Sequence, residues 1–188
     1  MTSGVLKRFA PLFLYVTLVG CLFIAALATR GQSKTSILSL IGSGLLSWGL
    51  LEYGLHRFIF HLDAHSEFLR RLVYSVHLSH HDKPQETDRL FTSLRVSAPL
   101  AMIYFLLAWG FSSSWETAVY LFTGLVAGYL IYEWIHYQAH HGRPRIFLFR
   151  YLKKYHLLHH HSTPDLRFGV TSPAFDYLFG TYRSASKR

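Results

Sequence analysis

The sequence contains a single cysteine, Cys21, which lies within an apolar run. One cysteine cannot form a disulfide framework, and it excludes a metal site built from several thiolates. Acidic residues are also scarce, because the chain has 10 Asp and Glu residues against 19 Lys and Arg residues. A carboxylate-bridged dimetal bundle needs two Glu-x-x-His motifs, and this chain has only one, which begins at Glu133.

The composition also argues against a water-soluble protein. Hydrophobic residues make up 51% of the 188-residue chain, although its net charge is +9. A soluble domain would have to hide this apolar surface, whereas in a membrane it faces lipid and the basic residues face anionic headgroups. The basic residues flank the apolar runs and do not form one soluble patch, so we expect no nucleic-acid partner.

Four apolar runs predict transmembrane helices, since about 20 apolar residues cross a bilayer. They lie at about 11–28, 37–55, 96–111 and 115–137. For the first run, a cleaved signal peptide is the alternative, because Ala26-Leu27-Ala28 resembles a cleavage site after a basic start. The sequence therefore predicts an all-α integral membrane bundle of four transmembrane helices. We expect residues 1–188 to form a single domain.

Two polar, basic segments, 61–95 and 140–188, cannot lie in hydrocarbon and are predicted to form a helical cap. The loops after the second and fourth runs carry six and nine Lys and Arg residues, whereas the opposite side carries only Arg30 and Lys34. Because cytoplasmic loops are enriched in Lys and Arg, we expect a multi-pass protein with both termini and the cap in the cytoplasm. Within the cap, residues 143–155 predict an interfacial amphipathic helix.

Histidine is strongly over-represented. The chain has 13 histidines, all between His56 and His161, and they occur in short clusters. The predicted topology places every cluster on the same side of the membrane and at a similar depth. Ten of these histidines recur in repeated spacings: His56, His61, His77, His80, His81, His136, His140, His156, His159 and His160.

The spacings predict convergence on a metal. Residues three and four positions apart share a helix face, so the triplets that begin at His77 and His156 and the pair that begins at His136 should each converge. His56 and His61 are five positions apart, roughly 140° on an ideal helix, so the helix should end or distort there. Ten crowded neutral imidazoles are hard to satisfy as donors and acceptors without a metal. Ten ligands suit two ions, with positions left for O2 or water.

Two carboxylates lie close to these histidines in sequence. Glu52 precedes His56 by four residues, and Glu133 precedes His136 by three. We predict that both orient imidazoles by accepting the N–H remote from the metal, with pairing to interface arginines such as Arg57 as the alternative. Three further histidines outside the repeated spacings are predicted at the surface or beside the ligands: His65, His141 and His161.

Two other kinds of histidine-rich membrane protein fit these spacings less well. A bis-histidine haem protein would use two or four histidines and leave most of them unexplained. A metal transporter would place its ligands near the bilayer midplane, often with carboxylates. Ligands at the cytoplasmic edge suit an enzyme whose metals meet a lipid at the membrane surface.

The histidine series and its flanks resemble the fatty acid hydroxylase and sterol desaturase superfamily. The flanks from Glu52 to Phe58 and from Phe168 to Thr181 are similar to fatty acid 2-hydroxylases. The resemblance implies four membrane helices, a cytoplasmic cap and O2-dependent hydroxylation of a fatty acyl chain. It also implies a dimetal centre held by the ten histidines of the series, which is His56-x4-His61, His77-x2-His80-His81, His136-x3-His140 and His156-x2-His159-His160.

The expected cofactors are two iron ions, with O2 as co-substrate and zinc as a substitute metal in purified protein. The sequence contains no His-Pro-Gly-Gly haem signature. We therefore expect electrons from a separate cytochrome b5-like or ferredoxin-like donor and its reductase. The alternatives are a carotenoid or sterol hydroxylase or desaturase of the same superfamily, and a non-catalytic metal-binding membrane protein. The lipid and the carbon that is oxidised stay open.

Overall fold

The computed structural model describes residues 2–28 and 33–185, with side chains described from Pro11 onward. Arg30, Lys187 and Arg188, which the topology prediction counts, lie outside the described residues. The α-helices within these ranges are α1 (Thr2–Ala28), α2 (Lys34–Gly54), α3 (Glu67–Val73), α4 (Ser79–Asp82), α5 (Leu94–Ser112), α6 (Trp115–His141), α7 (Phe147–His161) and α8 (Ala174–Leu178). The described residues contain no strand, so the all-α prediction is confirmed.

Within residues 2–28 and 33–185, four helices are long and apolar enough to cross a membrane, which agrees with the predicted number. The four segments are Pro11–Ala28, Lys34–Phe60, Thr87–Ser112 and Trp115–His141. The first coincides with the predicted run, and the other three extend beyond their predicted ends. The second and fourth segments extend far enough to include histidines of the repeated series.

Only two residues, Ser113 and Ser114, separate α5 from α6. Ser113 has φ 52° and ψ 19°, a left-handed conformation that ends α5, and it donates its N–H to the Trp109 carbonyl at 2.8 Å. The Ser114 hydroxyl then accepts the N–H of Thr117 at 3.2 Å and caps the start of α6. The short polar link therefore holds a helix stop and a helix start.

The chain divides into two compact units, the first of which contains residues 1–48 and 92–130. In this unit α2 and α6 pack closely at Gly124, where an added Cβ would overlap the carbonyl oxygen of Ile41. Small residues allow membrane helices to approach in this way. Fully buried Ala26, Val119 and Tyr120 form a core cluster of the same unit.

The second unit contains residues 49–91 and 131–188 and holds all 13 histidines. It departs from regular α-helix where α2 passes into a π-helix, Leu55–Phe60, and where a second π-helix, Tyr74–Leu78, joins α3 to α4. A π-helix bonds each N–H to the carbonyl five residues before it, and the His61 N–H meets the His56 carbonyl at 3.2 Å. The wider turn confirms the distortion expected between these two histidines.

The amphipathic helix of the second unit lies later in the chain than predicted. Residues 143–155 were expected to be helical, but α7 runs from Phe147 to His161. Pro144 favours an extended conformation for the residue before it, which delays the helix start. Phe147 and Leu148 are 75% and 56% exposed, whereas the opposite face is buried. Exposed apolar residues among arginines and lysines are typical of a helix at a membrane interface.

We predict that Gly124→Val destabilises the first unit, because its side chain has to displace the α2 backbone at Ile41. Overpacking of this kind costs about 1–3 kcal/mol, so the thermal unfolding midpoint in detergent should fall. Gly42→Ala is the matched control, since a Cβ at Gly42 meets nothing within 4 Å. Equal midpoints for the two variants would contradict the close helix approach.

Candidate metal centre

The ten histidines of the repeated series form two groups of five. The first group is His56, His61, His77, His81 and His159, and the second group is His80, His136, His140, His156 and His160. Within each group, one ring nitrogen from every histidine lies within 4.8 Å of the others. Both groups belong to the second unit, and both have the donor set and spacing to hold a metal ion.

Each group takes two pairs of histidines from two segments and one histidine from a third. The first group combines the pairs that begin at His56 and His77 with His159 of α7. The second group combines the pairs that begin at His136 and His156 with His80 of α4. The short helix α4 and the longer α7 therefore each contribute to both groups.

This division differs from the predicted convergence of each triplet on one face. His77 and His81 stay together, but His80 joins the other group. Successive residues on a helix are about 100° apart around its axis, so the side chains of His80 and His81 project in different directions. The rings of His81 and His160 stack with centroids 3.9 Å apart, so the two groups lie side by side.

The second group is too crowded to be satisfied by hydrogen bonds alone. The Nε2 atom of His80 lies 3.0 Å from that of His136 and 3.1 Å from that of His140, and His140 Nε2 lies 2.9 Å from that of His156. In a neutral imidazole, each Nε2 atom carries either one hydrogen or one lone pair. His80 and His140 would each need two, so these three contacts cannot all be ordinary hydrogen bonds.

The same distances fit nitrogens that share one ion. Two ligands about 2.1 Å from a metal and at right angles to each other are about 3.0 Å apart. The first group contains similar contacts, at 2.9 Å between Nε2 of His77 and His81 and 3.1 Å between Nε2 of His61 and His159. A metal accepts all the lone pairs at once, so the residues present fit a cation in each group.

Backbone carbonyls select the tautomer of two ligands in the first group. His56 Nδ1 lies 2.5 Å from the Phe168 carbonyl oxygen, and His159 Nδ1 lies 2.8 Å from that of Leu166. A carbonyl only accepts, so each Nδ1 carries the hydrogen and each Nε2 keeps its lone pair for a metal. His56 Nε2 is buried and has no hydrogen-bond partner among the described residues.

Burial keeps the imidazoles in the form that binds metal. It lowers the pKa of His61 and His80 to about 4 and that of His159 to about 3. Burial, together with the positive charge that neighbouring imidazoles would carry, also holds the pKa of His77 and His156 well below its usual value. Neutral histidine is the ligand form, so near pH 7 these nitrogens need lose no proton to bind a cation.

The predicted partner Glu52 is buried against the tail of the chain. Its carboxylate accepts the N–H of Val170 at 2.6 Å, the N–H of Thr171 at 2.8 Å and the Thr171 hydroxyl at 2.5 Å. The remote nitrogen of His56 meets the Phe168 carbonyl. Glu52 is thus bonded to the segment that carries this carbonyl.

Glu133 is 1% exposed on α6, one turn before His136. Its predicted role in orienting an imidazole stays a prediction. The guanidinium of Arg57, the alternative partner for these carboxylates, donates a hydrogen bond to the Tyr53 hydroxyl at 2.6 Å.

Asp176 was not among the predicted site residues, although its side chain is fully buried beside the first group. Its Oδ1 accepts the N–H of Phe168 at 2.9 Å and the Thr181 hydroxyl at 2.7 Å, and its Oδ2 accepts the N–H of Gly169 at 2.8 Å. The sequence contains one signal that could have identified it, since Asp176 is an acidic residue, in a chain with few of them, inside the apolar stretch Ala174–Phe179.

The three remaining histidines lie outside both groups. His65 and His161 are exposed, as expected for surface positions, and His141 and His161 line a cleft of about 900 Å³. Four cations line the same cleft, which also reaches His140 of the second group: Arg143, Arg150, Lys153 and Lys154.

Comparisons with known proteins all relate this chain to one family. The fatty acid hydroxylase family model matches residues 41–181. Dihydroceramide fatty acyl 2-hydroxylase FAH2 of Arabidopsis thaliana is 37% identical over 167 residues, which cover 87% of this chain and 68% of that protein. Ceramide very long chain fatty acid hydroxylase SCS7 of Saccharomyces cerevisiae is 36% identical, over 74% of this chain and 36% of that protein.

A solved structure gives the same result. The chain superposes on full-length scs7p, of which only the hydroxylase domain is visible, with a TM-score of 0.87 and 30% identity. The match covers 96% of this chain and 68% of that one. Because the family model spans both histidine groups and most of the chain, the protein belongs to the fatty acid hydroxylase family.

Proposed function

We propose that this protein is an O2-dependent hydroxylase of a lipid acyl chain, with one iron ion held by each histidine group. The observation that carries the proposal is the pair of five-nitrogen groups, buried side by side in a member of the fatty acid hydroxylase family. The names of the plant and yeast relatives make a ceramide acyl chain the first substrate to test.

The protein supplies a fixed, neutral set of ligands in a largely dry site. Iron bound there supplies the reduction of O2 and the insertion of oxygen into an unactivated C–H bond. The balanced reaction consumes one O2, two electrons and two protons and yields one hydroxyl group and one water molecule. Burial of the imidazoles excludes bulk water, and the carbonyls of Leu166 and Phe168 keep two ligands in the tautomer that exposes Nε2.

We further propose that both termini and the histidine groups face the cytoplasm. The Lys and Arg count supports this orientation, because the loops that carry the histidines are the basic ones. Exposed Phe147 and Leu148 at the start of α7 suit contact with the interfacial region of the bilayer. A lipid substrate would then reach the site from the bilayer, where it already partitions.

Two electrons are needed per turnover, and the basic cleft is the docking surface that we propose for a cytochrome b5-like or ferredoxin-like donor. Within the described residues no carboxylate forms an ion pair with the four cations of the cleft. Lys153 donates to the Gly142 carbonyl at 3.0 Å, whereas Arg143, Arg150 and Lys154 are exposed and can meet the acidic face of a small redox protein. His140 lines the cleft and belongs to the second group, so an electron delivered there arrives beside a ligand. Charge complementarity raises the rate of such encounters.

Lipid mass spectrometry of cells that express the protein tests the activity. The intact protein should produce acyl chains heavier by one oxygen atom, and the double variant His80→Ala, His159→Ala should produce none, because it removes one ligand from each group. The control is His65→Ala, which removes an exposed histidine outside both groups and outside the cleft and should keep the product.

Other products would point to other members of the superfamily. A lipid lighter by two hydrogen atoms would identify a desaturase, and an oxygenated carotenoid in a pigmented host would identify a carotenoid hydroxylase. An unchanged lipid profile, with donor and reductase supplied, would contradict the proposal and leave a non-catalytic metal-binding protein.

Metal exchange in the purified protein separates binding from catalysis. Iron(II) should restore O2 consumption to the metal-free protein in the presence of lipid and reductant. Zinc should fill the same nitrogen sites without supporting O2 consumption, because it has no redox chemistry. Equal O2 consumption with zinc and with iron would exclude the proposed role of iron.

Charge reversal in the cleft tests the docking surface. Arg150→Glu, Lys154→Glu should lower the rate with a protein donor about tenfold at low ionic strength, since electrostatic steering is worth that much or more. The rate with a small chemical reductant should not change. Arg95→Glu is the control, because Arg95 is exposed outside the cleft. Equal rates for the cleft variant and the control with the protein donor would rule out this docking surface.

A further inference from the structure

A short segment of the tail, Leu166–Thr171, here called the strap, lies against the first histidine group. The carbonyl of Leu166 accepts from His159, and the carbonyl of Phe168 accepts from His56. Arg167, between them, has φ 65°, a left-handed conformation that few side chains adopt without support from their surroundings. The strap therefore presents two backbone acceptors to two ligands of one group.

Two buried carboxylates hold the strap through adjacent pairs of backbone N–H groups. Asp176 accepts the N–H groups of Phe168 and Gly169, at 2.9 Å and 2.8 Å. Glu52 accepts the N–H groups of Val170 and Thr171, at 2.6 Å and 2.8 Å. Four consecutive N–H groups are thus bonded to carboxylates on two other elements, α2 and α8.

The second group has no such support among the described residues. The Nδ1 atoms of all five of its histidines are buried and find no hydrogen-bond partner there: His80, His136, His140, His156 and His160. Both strap carbonyls serve the first group alone. A change in the strap should therefore affect one metal and leave the other in place.

We propose that Asp176 and Glu52 are positioning residues that set the metal affinity of the first group through the strap. Neither carboxylate has to touch the metal for this role. A histidine ligand whose remote N–H loses its acceptor binds metal about 10–100-fold more weakly. The inference rests on the proposed function in one respect, namely that each group holds one ion.

The chemistry of the carboxylates gives a disruptive variant and a conservative one. Both Asp176 oxygens accept backbone N–H groups, so Asp176→Asn has to turn its amide NH2 toward one of them and lose that bond. Glu52 uses one oxygen, Oε1, for both N–H groups and the other for the Thr171 hydroxyl. Glu52→Gln can keep all three contacts, because its amide can donate to that hydroxyl.

The experiment titrates iron(II), without oxygen, into the full-length metal-free protein and its variants in detergent. Bound iron per chain and the two affinities are measured. The intact protein and Glu52→Gln should bind two ions with matching affinities. Asp176→Asn should keep one affinity and weaken the other about 10–100-fold. Equal thermal midpoints of the metal-free proteins show that the variants are folded.

Reference variants identify which group is affected. His56→Ala removes a ligand from the first group, and His136→Ala removes one from the second. Adding Asp176→Asn to His56→Ala should leave the remaining strong site unchanged. Adding it to His136→Ala should weaken the remaining site about 10–100-fold. Weakening in both combinations, or in neither, would overturn the inference.

A second strap variant covers the case in which Asp176→Asn does not fold. A Cβ at Gly169 would overlap the Ser172 carbonyl and approach Asp176 Oδ2 at 2.9 Å, so Gly169→Ala moves the strap without removing a charge. Gly169→Ala should weaken iron binding by the first group only, and two unchanged affinities would refute the inference. An intact protein that binds no iron at all would instead overturn the proposed function, and the inference with it.

Discussion

An imidazole nitrogen can carry a proton or offer a lone pair, but it cannot do both, and the second unit is organised around that limit. Rows of Nε2 atoms about 3 Å apart exceed what hydrogen bonding can satisfy, as at His80 and His140. A shared cation removes the conflict. Other features of the site agree with it: the rings are buried, their neutral form is favoured, and in the first group carbonyls hold the remaining proton on the far nitrogen of His56 and His159.

Helix geometry then decides how ten rings are distributed between two sites. A regular α-helix would turn His56 and His61 away from each other, and the π-helix over Leu55–Phe60 corrects this at the cost of local regularity. On α4, regular helix geometry instead separates the adjacent side chains of His80 and His81, which belong to different groups. The irregular backbone and the regular backbone therefore both contribute to the assembly of the site.

Much of this could be predicted from sequence because it depends on local periodicity. Apolar length located the four membrane helices, and the five-residue interval between His56 and His61 required a distortion. The division of each histidine triplet could not be predicted, since it depends on which segments lie on either side of α4 and α7. The position of Asp176 could not be predicted either, because its hydrogen bonds to Phe168 and Gly169 form only once the tail has folded back.

Each histidine group contains one residue from a triplet whose other two residues belong to the other group: His80 in the second group and His159 in the first. This arrangement has an evolutionary consequence. Neither site can be inherited, lost or transplanted as a continuous stretch of chain, because each depends on a residue embedded among the other site's ligands. A recombination break between α4 and α7 would leave two incomplete sites instead of one intact site. Selection on either histidine group therefore acts on both, and we expect the pair to diverge among related proteins as one module.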